Sequence, residues 1–310
     1  MNIDICKVAP IVLFVYNRPY HTRRTLEALE KNSLSAQSNL YIFSDGPKAN
    51  DVDMQRVNEV REIIRSPVNF ANVYIDERER NFGLAGNVIN GVTEVVKRYG
   101  KIIVLEDDVL LAPYALEYFN DALDKYEKVD KVMHIGSYMY NINRNNLDET
   151  FFTRLSMSQA WATWSSAWNH FEEDINVLLS KFDKKKIKAF TFDHTMNFWK
   201  QINEQKDGKV DSWAIRWYAS IFLNDGLALQ TKYSLLENIG HDGSGVHSSI
   251  SSMFDSEIQR SKISFFPEII QENLKAYEIL KYYFKHRKGS LLKRGFRFLR
   301  NKYYLWNNKK

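Results

Sequence analysis

Short apolar runs alternate with segments of helical periodicity through the first half of the chain. The runs are four to six residues long and lie at 11–16, 40–44, 73–76, 102–105 and 132–135. Between them, apolar residues recur three or four positions apart, as they do on one face of a helix. Continuous apolar strands separated by helices indicate a mostly parallel sheet that is covered on both faces. The pattern predicts an α/β fold of the Rossmann-like type.

The second half lacks this alternation. Trp161, Trp164 and Trp168 are spaced as on one helical face, where core packing is the simpler role and stacking against a sugar the alternative. Helices are expected over about 171–205 and 212–224, and the Gly- and Ser-rich stretch 226–251 predicts an irregular loop. We expect one domain over 1–250, made of halves 1–140 and 141–250, followed by a helical extension over 251–310.

Composition limits the class of protein. The 310 residues are 44% hydrophobic, which is enough for a large core, and no run of about 18 apolar residues predicts a membrane span. We expect no signal peptide, because the start of the chain has no basic segment and no small-residue cleavage site. Cys6 is the only cysteine, so an intrachain disulfide and a cysteine-based metal site are excluded. A reducing cytoplasm is expected.

Charge is distributed unevenly. Residues 281–310 contain eleven Lys and Arg and no acidic residue, whereas the rest of the chain contains 32 basic and 38 acidic residues. Apolar and aromatic residues alternate with the basic ones in this tail. That mixture suits an anionic bilayer interface, and no recognition motif for nucleic acid accompanies it. The tail predicts peripheral attachment to the inner face of the cell membrane.

Three adjacent carboxylates follow the apolar run 102–105. Glu106, Asp107 and Asp108 come where a parallel strand ends, and ligands of open α/β sheets bind at such ends. Neighbouring carboxylates repel each other unless a cation neutralises them, and Mg²⁺ and Mn²⁺ prefer carboxylate and phosphate oxygens. The alternative is the acidic first turn of a helix. The position directly after a buried strand favours a metal site.

Four motifs in order resemble the landmarks of GT-A glycosyltransferases, and in particular the N-acetylglucosaminyltransferase I type and bacterial family-2-like enzymes. The motifs are FVYNRP at 14–19, SDG at 44–46, NFGLA at 81–85 and LEDD at 105–108. The resemblance extends over about residues 8–250. It implies a GT-A domain, with a nucleotide-sugar-binding half at 1–140, an acceptor-side half at 141–250 and a DXD-type motif that binds Mn²⁺ or Mg²⁺.

The resemblance also implies roles for single residues. Asp108 is expected to be the principal metal ligand, and Asp45 to face the base or ribose, with a plain turn residue as the alternative. Asn81, Gly83 and Leu84 open a helix that approaches the donor, with a helix cap and turn glycine as the alternative. The remaining residues expected in the donor site are Asn17, Arg18, Glu106 and Asp107.

Two constellations in the second half complete the expected site. Asp211 in VDSWAIRW is the expected general base of an inverting transfer, with helix capping as the alternative. His241 and His247 lie in a Gly-rich stretch that suits a lid, and either side chain is a candidate metal ligand or simply solvated.

These observations predict an enzyme that moves a sugar from a nucleoside-diphosphate sugar, expected to be a UDP-sugar, to a glycan acceptor. The resembled enzymes suggest a bacterial surface polysaccharide, such as O-antigen or capsule, with an acceptor that is lipid-linked. The alternatives are a nucleotidyltransferase acting on sugar phosphates and a non-catalytic sugar-binding protein. The absence of a Gly-rich loop after the first strand argues against the former.

Overall fold

The computed structural model describes residues 8–242 and 256–287. Within them the strands are β1 (Ile11–Val15), β2 (Asn39–Ser44), β3 (Asn72–Glu77), β4 (Lys101–Glu106), β5 (Val109–Leu111), β6 (Val132–Gly136), β7 (Thr150–Thr153), β8 (Trp161–Trp164), β9 (Leu227–Thr231) and β10 (Leu236–Asn238). The α-helices are α1 (Pro19–Glu30), α2 (Asp51–Ile64), α3 (Gly83–Tyr99), α4 (Ala115–Lys125), α5 (Ser165–Trp168), α6 (Ile175–Ser180), α7 (Lys184–Phe190), α8 (Phe198–Lys206), α9 (Trp213–Leu223) and α10 (Leu274–His286).

One eight-stranded sheet organises the chain, in the order β3-β2-β1-β4-β8-β6-β9-β7. The strands β3, β2, β1 and β4 are parallel to one another, and β8 runs antiparallel to both β4 and β6. β9 is parallel to β6, and β7 lies antiparallel at the edge. Six strands therefore share one direction, so their carboxyl ends lie along one edge of the sheet. The predicted α/β class with a mostly parallel sheet is confirmed.

The central strands are apolar because both of their faces are covered. Every residue of β1 and of β2 is buried, although successive side chains point to opposite faces of a sheet. The connections through α1 and α2 step towards β3, whereas the connection through α3 steps back to β4. Since such crossovers are right-handed, the first two helices cover one face and α3 covers the other. Gly100, in the left-handed conformation, ends α3 as predicted.

The prediction of one helical face for the three tryptophans is wrong. Trp161 and Trp164 begin and end strand β8, and Trp168 ends the short helix α5. All three are buried, so core packing is confirmed as their role. The indole of Trp164 donates to the carbonyl of Leu123, and that of Trp168 donates to the hydroxyl of Thr93. These indoles bind the second half of the chain to elements of the first half.

The prediction of an irregular loop over 226–251 is wrong for its described part. Residues 227–231 form β9 inside the main sheet, and 236–238 form β10, which pairs with β5 in a two-stranded sheet. The helices expected over 171–205 and 212–224 are present as α6, α7, α8 and α9. The buried strand β9 was not recognised because it is short and turn residues follow it closely.

The C-terminal segment is mostly not the expected helical extension. Residues 256–273 contain no helix and run across the body, where Glu149 accepts hydrogen bonds from the backbone N–H groups of Ser264 and Phe265. Helix α10 then packs through the buried residues Leu280 and Phe284. Residues 281–287 of the predicted tail therefore belong to a packed segment, and 288–310 lie outside the described residues.

No helix among the described residues is both long and apolar enough to cross a membrane. Membrane attachment through the basic tail stays a prediction from the sequence.

Adding a methyl group at two glycines of α3 is expected to change the free energy of unfolding in opposite directions. A Cβ at Gly91 would lie 2.7 Å from the Phe14 ring and 3.0 Å from the Phe43 ring, whereas at Gly86 the nearest atom lies at 3.7 Å. We expect Gly91→Ala to lower the free energy of unfolding by about 1–3 kcal/mol through overpacking. Gly86→Ala should raise it by about 0.5 kcal/mol, because alanine loses less backbone entropy in a helix. Urea denaturation measures both, and equal signs would contradict the described packing of α3 on β1 and β2.

Candidate functional site

The site lies at the carboxyl ends of β1 and β4, which are neighbours in the sheet. The chain leaves β1 towards β2 on one side, and it reaches β4 from β3 on the other. Such a reversal of strand order opens a crevice at the carboxyl edge, where ligands of open α/β sheets bind. Residues 16–18 and 107–108 follow the two strands and therefore flank this crevice.

The acidic triplet is electrostatically unfavourable as it stands. Burial, and then the charges of Asp108 and Asp107, raise the pKa of Glu106 well above its usual range. Burial and the charge of Asp108 raise the pKa of Asp107 to about 7. The Asp107 carboxylate accepts weak hydrogen bonds from the backbone of Tyr16, at 3.4 Å, and the hydroxyl of Thr22, at 3.5 Å. Asp107 thus joins the loop after β1 to the end of β4.

Arg18 is the cation that compensates the triplet. Its guanidinium forms an ion pair of 3.0 Å with Oδ2 of Asp108, and both side chains are largely shielded from solvent. The same guanidinium lies 3.4 Å from Asp242 and donates to the carbonyl of Gly240 at 3.3 Å. Arg18 therefore connects the end of β4 to the loop that follows β10.

The pairing of β5 with β10 brings that loop to the site. Asn238 pairs with Val109, and the backbone N–H of Ile239 donates to the carbonyl of Asp108 at 2.9 Å. Gly240 then lies against the Asp108 carboxylate, since a Cβ at this position would come within 2.0 Å of Oδ2. Only glycine leaves room for the carboxylate where Arg18 holds it.

His21 adds a polar group to the same loop. Its Nε2 lies 3.2 Å from Asp242 and 2.9 Å from the Arg18 guanidinium. Burial and the adjacent Arg18 lower the pKa of His21, so the ring is held towards its neutral form. Sequence reasoning did not single out His21, because one histidine in the first turn of a helix carries no local signal.

Asp45 has a structural role as a turn residue. Its Oδ1 accepts hydrogen bonds from the backbone N–H groups of Gly46, at 2.9 Å, and Phe82, at 2.8 Å. The Asn81 amide donates to the carbonyl of Gly46, so Asn81 does not cap α3. These bonds hold the end of β2 against the start of α3. Contact of Asp45 with a base or ribose stays a prediction.

Gly83 opens α3 with φ of +73°, a conformation that favours glycine, and Leu84 beside it is half exposed. The turn glycine is thereby confirmed. The approach of a donor to this backbone stays a prediction.

A second acidic centre, missed from the sequence, lies beside the loop after β1. The carboxylate of Asp53, in the first turn of α2, accepts hydrogen bonds from the Tyr16 hydroxyl and the Asn17 amide, both at 2.5 Å. Asn17, expected in the donor site, is therefore anchored by this carboxylate. Asp53 resembles an ordinary first-turn acid in the sequence, so only its spatial neighbours reveal it.

Asp211 lies just before helix α9. It is exposed, forms an ion pair of 2.8 Å with the buried Arg216, and does not cap α9, because Ser212 provides that cap. The capping alternative is wrong for Asp211. The side chain of Trp213, two residues later, lies close enough to Glu106 to counter part of the rise in the pKa of that carboxyl. The start of α9 therefore reaches the end of β4.

Of the two histidines predicted as metal ligands, only His241 lies within the described residues. His241 directly follows Gly240, which lies against the Asp108 carboxylate, while His247 lies outside the described residues. Within residues 8–242 and 256–287, no group of three His, Cys, Asp or Glu side chains is arranged to hold a metal ion. Magnesium sites of nucleotide enzymes commonly need only one or two carboxylates, because substrate phosphates supply further ligands. Asp108, whose carboxylate forms an ion pair of 3.0 Å with the Arg18 guanidinium, fits that arrangement.

Comparisons with known proteins found no matching family model and no matching curated protein. Among solved structures, the chain is similar to UDP-glucose pyrophosphorylase complexed with UDP-glucose, over 73% of this chain and 91% of that one, at 11% identity and a TM-score of 0.36. It is also similar to S. aureus TarS, at 13% identity and a TM-score of 0.31, over 45% of this chain. The chain spans only 23% of TarS. At this level of similarity, neither structure bears on what the chain does.

Proposed function

We propose that the chain is a glycosyltransferase that binds a nucleoside-diphosphate sugar, with a UDP-sugar as the first donor to test, and transfers its sugar to a glycan acceptor. The observation that carries the proposal is the Asp108 carboxylate. It lies in the crevice between β1 and β4 and holds a cationic group at 3.0 Å, with two further carboxylates on the same strand end. The GT-A resemblance of the sequence motifs adds to it.

Asp108 would hold the Mn²⁺ or Mg²⁺ ion of this enzyme, which supplies Lewis-acid stabilisation of the departing nucleoside diphosphate. Arg18 carries a fixed positive charge at the same edge and suits the diphosphate by charge. Gly240 leaves the space that the Asp108 side chain needs. Burial and mutual repulsion raise the pKa values of Asp107 and Glu106, and a divalent cation at Asp108 would offset that repulsion and favour their ionised forms.

We propose Asp211 as the base that removes the proton of the acceptor hydroxyl in an inverting transfer. Its side chain is exposed just before α9, whose Trp213 lies near Glu106, so a carboxylate is available near the strand end that bears Asp108. Arg216 keeps this carboxylate oriented through its 2.8 Å ion pair. A bacterial surface polysaccharide remains the proposed setting.

One comparison of variants tests the proposal. Asp108→Asn should abolish Mn²⁺-dependent binding of UDP and reduce transfer at least about a hundredfold, because the cation loses its carboxylate. Asp211→Asn should leave the Kd for UDP unchanged and lower kcat about a hundredfold or more. Asp207→Asn, an exposed and ion-paired carboxylate near Asp211, is the matched control and should behave as wild type.

Calorimetry with UDP and Mn²⁺, and turnover of a panel of UDP-sugars with and without EDTA, provide the readouts. Wild-type turnover by Asp108→Asn would contradict the proposed metal site. Loss of UDP binding by Asp211→Asn would show that Asp211 binds the donor and is not the base. Release of pyrophosphate from a nucleoside triphosphate and a sugar phosphate would identify a nucleotidyltransferase instead.

We also propose that residues 288–310 attach the enzyme to anionic membrane at the cytoplasmic face. Eight of the eleven basic residues of the tail lie there, and each contributes about 1 kcal/mol near an anionic surface. Removing 288–310 should abolish co-sedimentation with vesicles that contain anionic lipid, and high salt should weaken it. Equal pelleting with and without these residues would contradict the proposal.

A further inference from the structure

Asp53 gathers three hydrogen-bond donors from two separate loops. Its buried carboxylate accepts from the Tyr16 hydroxyl and the Asn17 amide, both at 2.5 Å, and from the backbone N–H of Lys48, at 2.6 Å. Tyr16 and Asn17 follow β1, whereas Lys48 lies in the loop that follows β2. One carboxylate thus ties together the loops at the carboxyl ends of two adjacent strands.

The residues around Asp53 fix its position in α2 and favour the ionised form of its carboxylate. The Asn50 side chain caps α2 by accepting a hydrogen bond from the backbone N–H of Asp53. This bond fixes Asp53 in the first turn, where the helix dipole favours an anion. Burial alone would raise the pKa of Asp53, but hydrogen bonds from Tyr16, Lys48 and Asn17 outweigh it and lower the pKa. Burial and the Asp53 charge in turn raise the pKa of Tyr16, so its hydroxyl remains a donor.

The cluster formed by Asp53, Tyr16, Asn17 and Lys48 lies at a different point of the sheet edge from the acidic triplet. Asp108 and Arg18 flank the crevice between β1 and β4, where the proposed function places the phosphates of the donor. The Asp53 cluster lies on the other side of β1, towards β2 and α2. A buried anion there disfavours phosphate, whereas an aromatic ring and an amide suit an uncharged base and ribose.

We propose that Asp53 is a positioning residue for the nucleoside end of the donor. It holds the Tyr16 ring and the Asn17 amide in one orientation at the edge, and it acts through them. The backbone N–H of Tyr16 also contacts Asp107, so the same anchor fixes the spacing between the nucleoside end and the acidic triplet. This inference rests on the proposed function, because it assumes a nucleotide donor.

Asp53→Asn tests the proposal against a matched control. The asparagine replaces one of the two acceptor oxygens with an N–H group, which faces either the Asn17 amide or the Tyr16 hydroxyl and the Lys48 N–H, so the cluster loses its fixed geometry. We expect the Kd for UDP and the KM for a UDP-sugar to rise about tenfold, with kcat within twofold of wild type. Asp51→Asn removes an exposed carboxylate from the same first turn and should leave both constants unchanged.

Tyr16→Phe keeps the ring and Asp53 but removes one of the three hydrogen bonds, and it serves if Asp53→Asn folds poorly. It should raise the Kd for UDP in the same direction by a smaller factor. The double variant should bind UDP no more weakly than Asp53→Asn alone, because both changes remove the same contact.

UDP affinity within twofold of wild type in Asp53→Asn, or a fall in kcat with unchanged KM, would overturn the positioning role. Those results would show that Asp53 stabilises the fold and does not position the nucleoside. Failure of the wild-type protein to bind UDP or another nucleoside diphosphate with Mn²⁺ would overturn the proposed function as well. That outcome is visible in the wild-type arm before any variant is compared.

Discussion

The ion pair between Arg18 and Asp108 is the interaction on which the geometry of the site depends. Strand β4 delivers three consecutive carboxylates to one edge of the sheet, where burial raises the pKa of Asp107 and Glu106. A single guanidinium from the loop after β1 offsets this repulsion. Without a cation at this position, β4 would end in uncompensated negative charge, which is costly in a shielded environment.

The second half of the chain is arranged around that constraint. Pairing of β10 with β5 carries Gly240 onto the Asp108 carboxylate, and the side chain of Trp213 lies close enough to Glu106 to lower its pKa. The first contact requires a residue without a side chain, and the second partly offsets the burial of an acid. An anionic centre on one strand thus draws together a loop, a helix and the β1 turn, and leaves Asp211 at the same end of the molecule.

Local signals explain what the sequence allowed us to predict. Apart from β5, the strands and helices up to Ile135 follow from apolar runs and helical spacing, and the acidic triplet stands out because it follows a buried strand. The strands β8 and β9 were missed because their place in the sheet depends on pairing with distant strands. A WxxW pattern fits a helix face as well as a short strand.

Local sequence signals likewise identify some residues of the site and miss others. Asp108 was predicted from its position after a buried strand and from the GT-A resemblance, Arg18 was predicted from that resemblance, and the structure brings the two together. Asp53 was missed because a first-turn acid usually serves the helix alone, and nothing near it in the sequence indicates that Tyr16 and Asn17 donate to it. Residues defined by contacts distant in sequence need the fold before they can be recognised.

We propose that Asp108 binds the divalent cation in place of the Arg18 guanidinium. The most direct measurement is the Kd for Mn²⁺ without nucleotide, for the wild type, Arg18→Gln and Asp108→Asn. Because Arg18 competes with the metal for one carboxylate, Arg18→Gln should bind Mn²⁺ more tightly, on the order of tenfold, and Asp108→Asn should lose this site. Unchanged or weaker Mn²⁺ binding by Arg18→Gln, or wild-type binding by Asp108→Asn, would contradict the account.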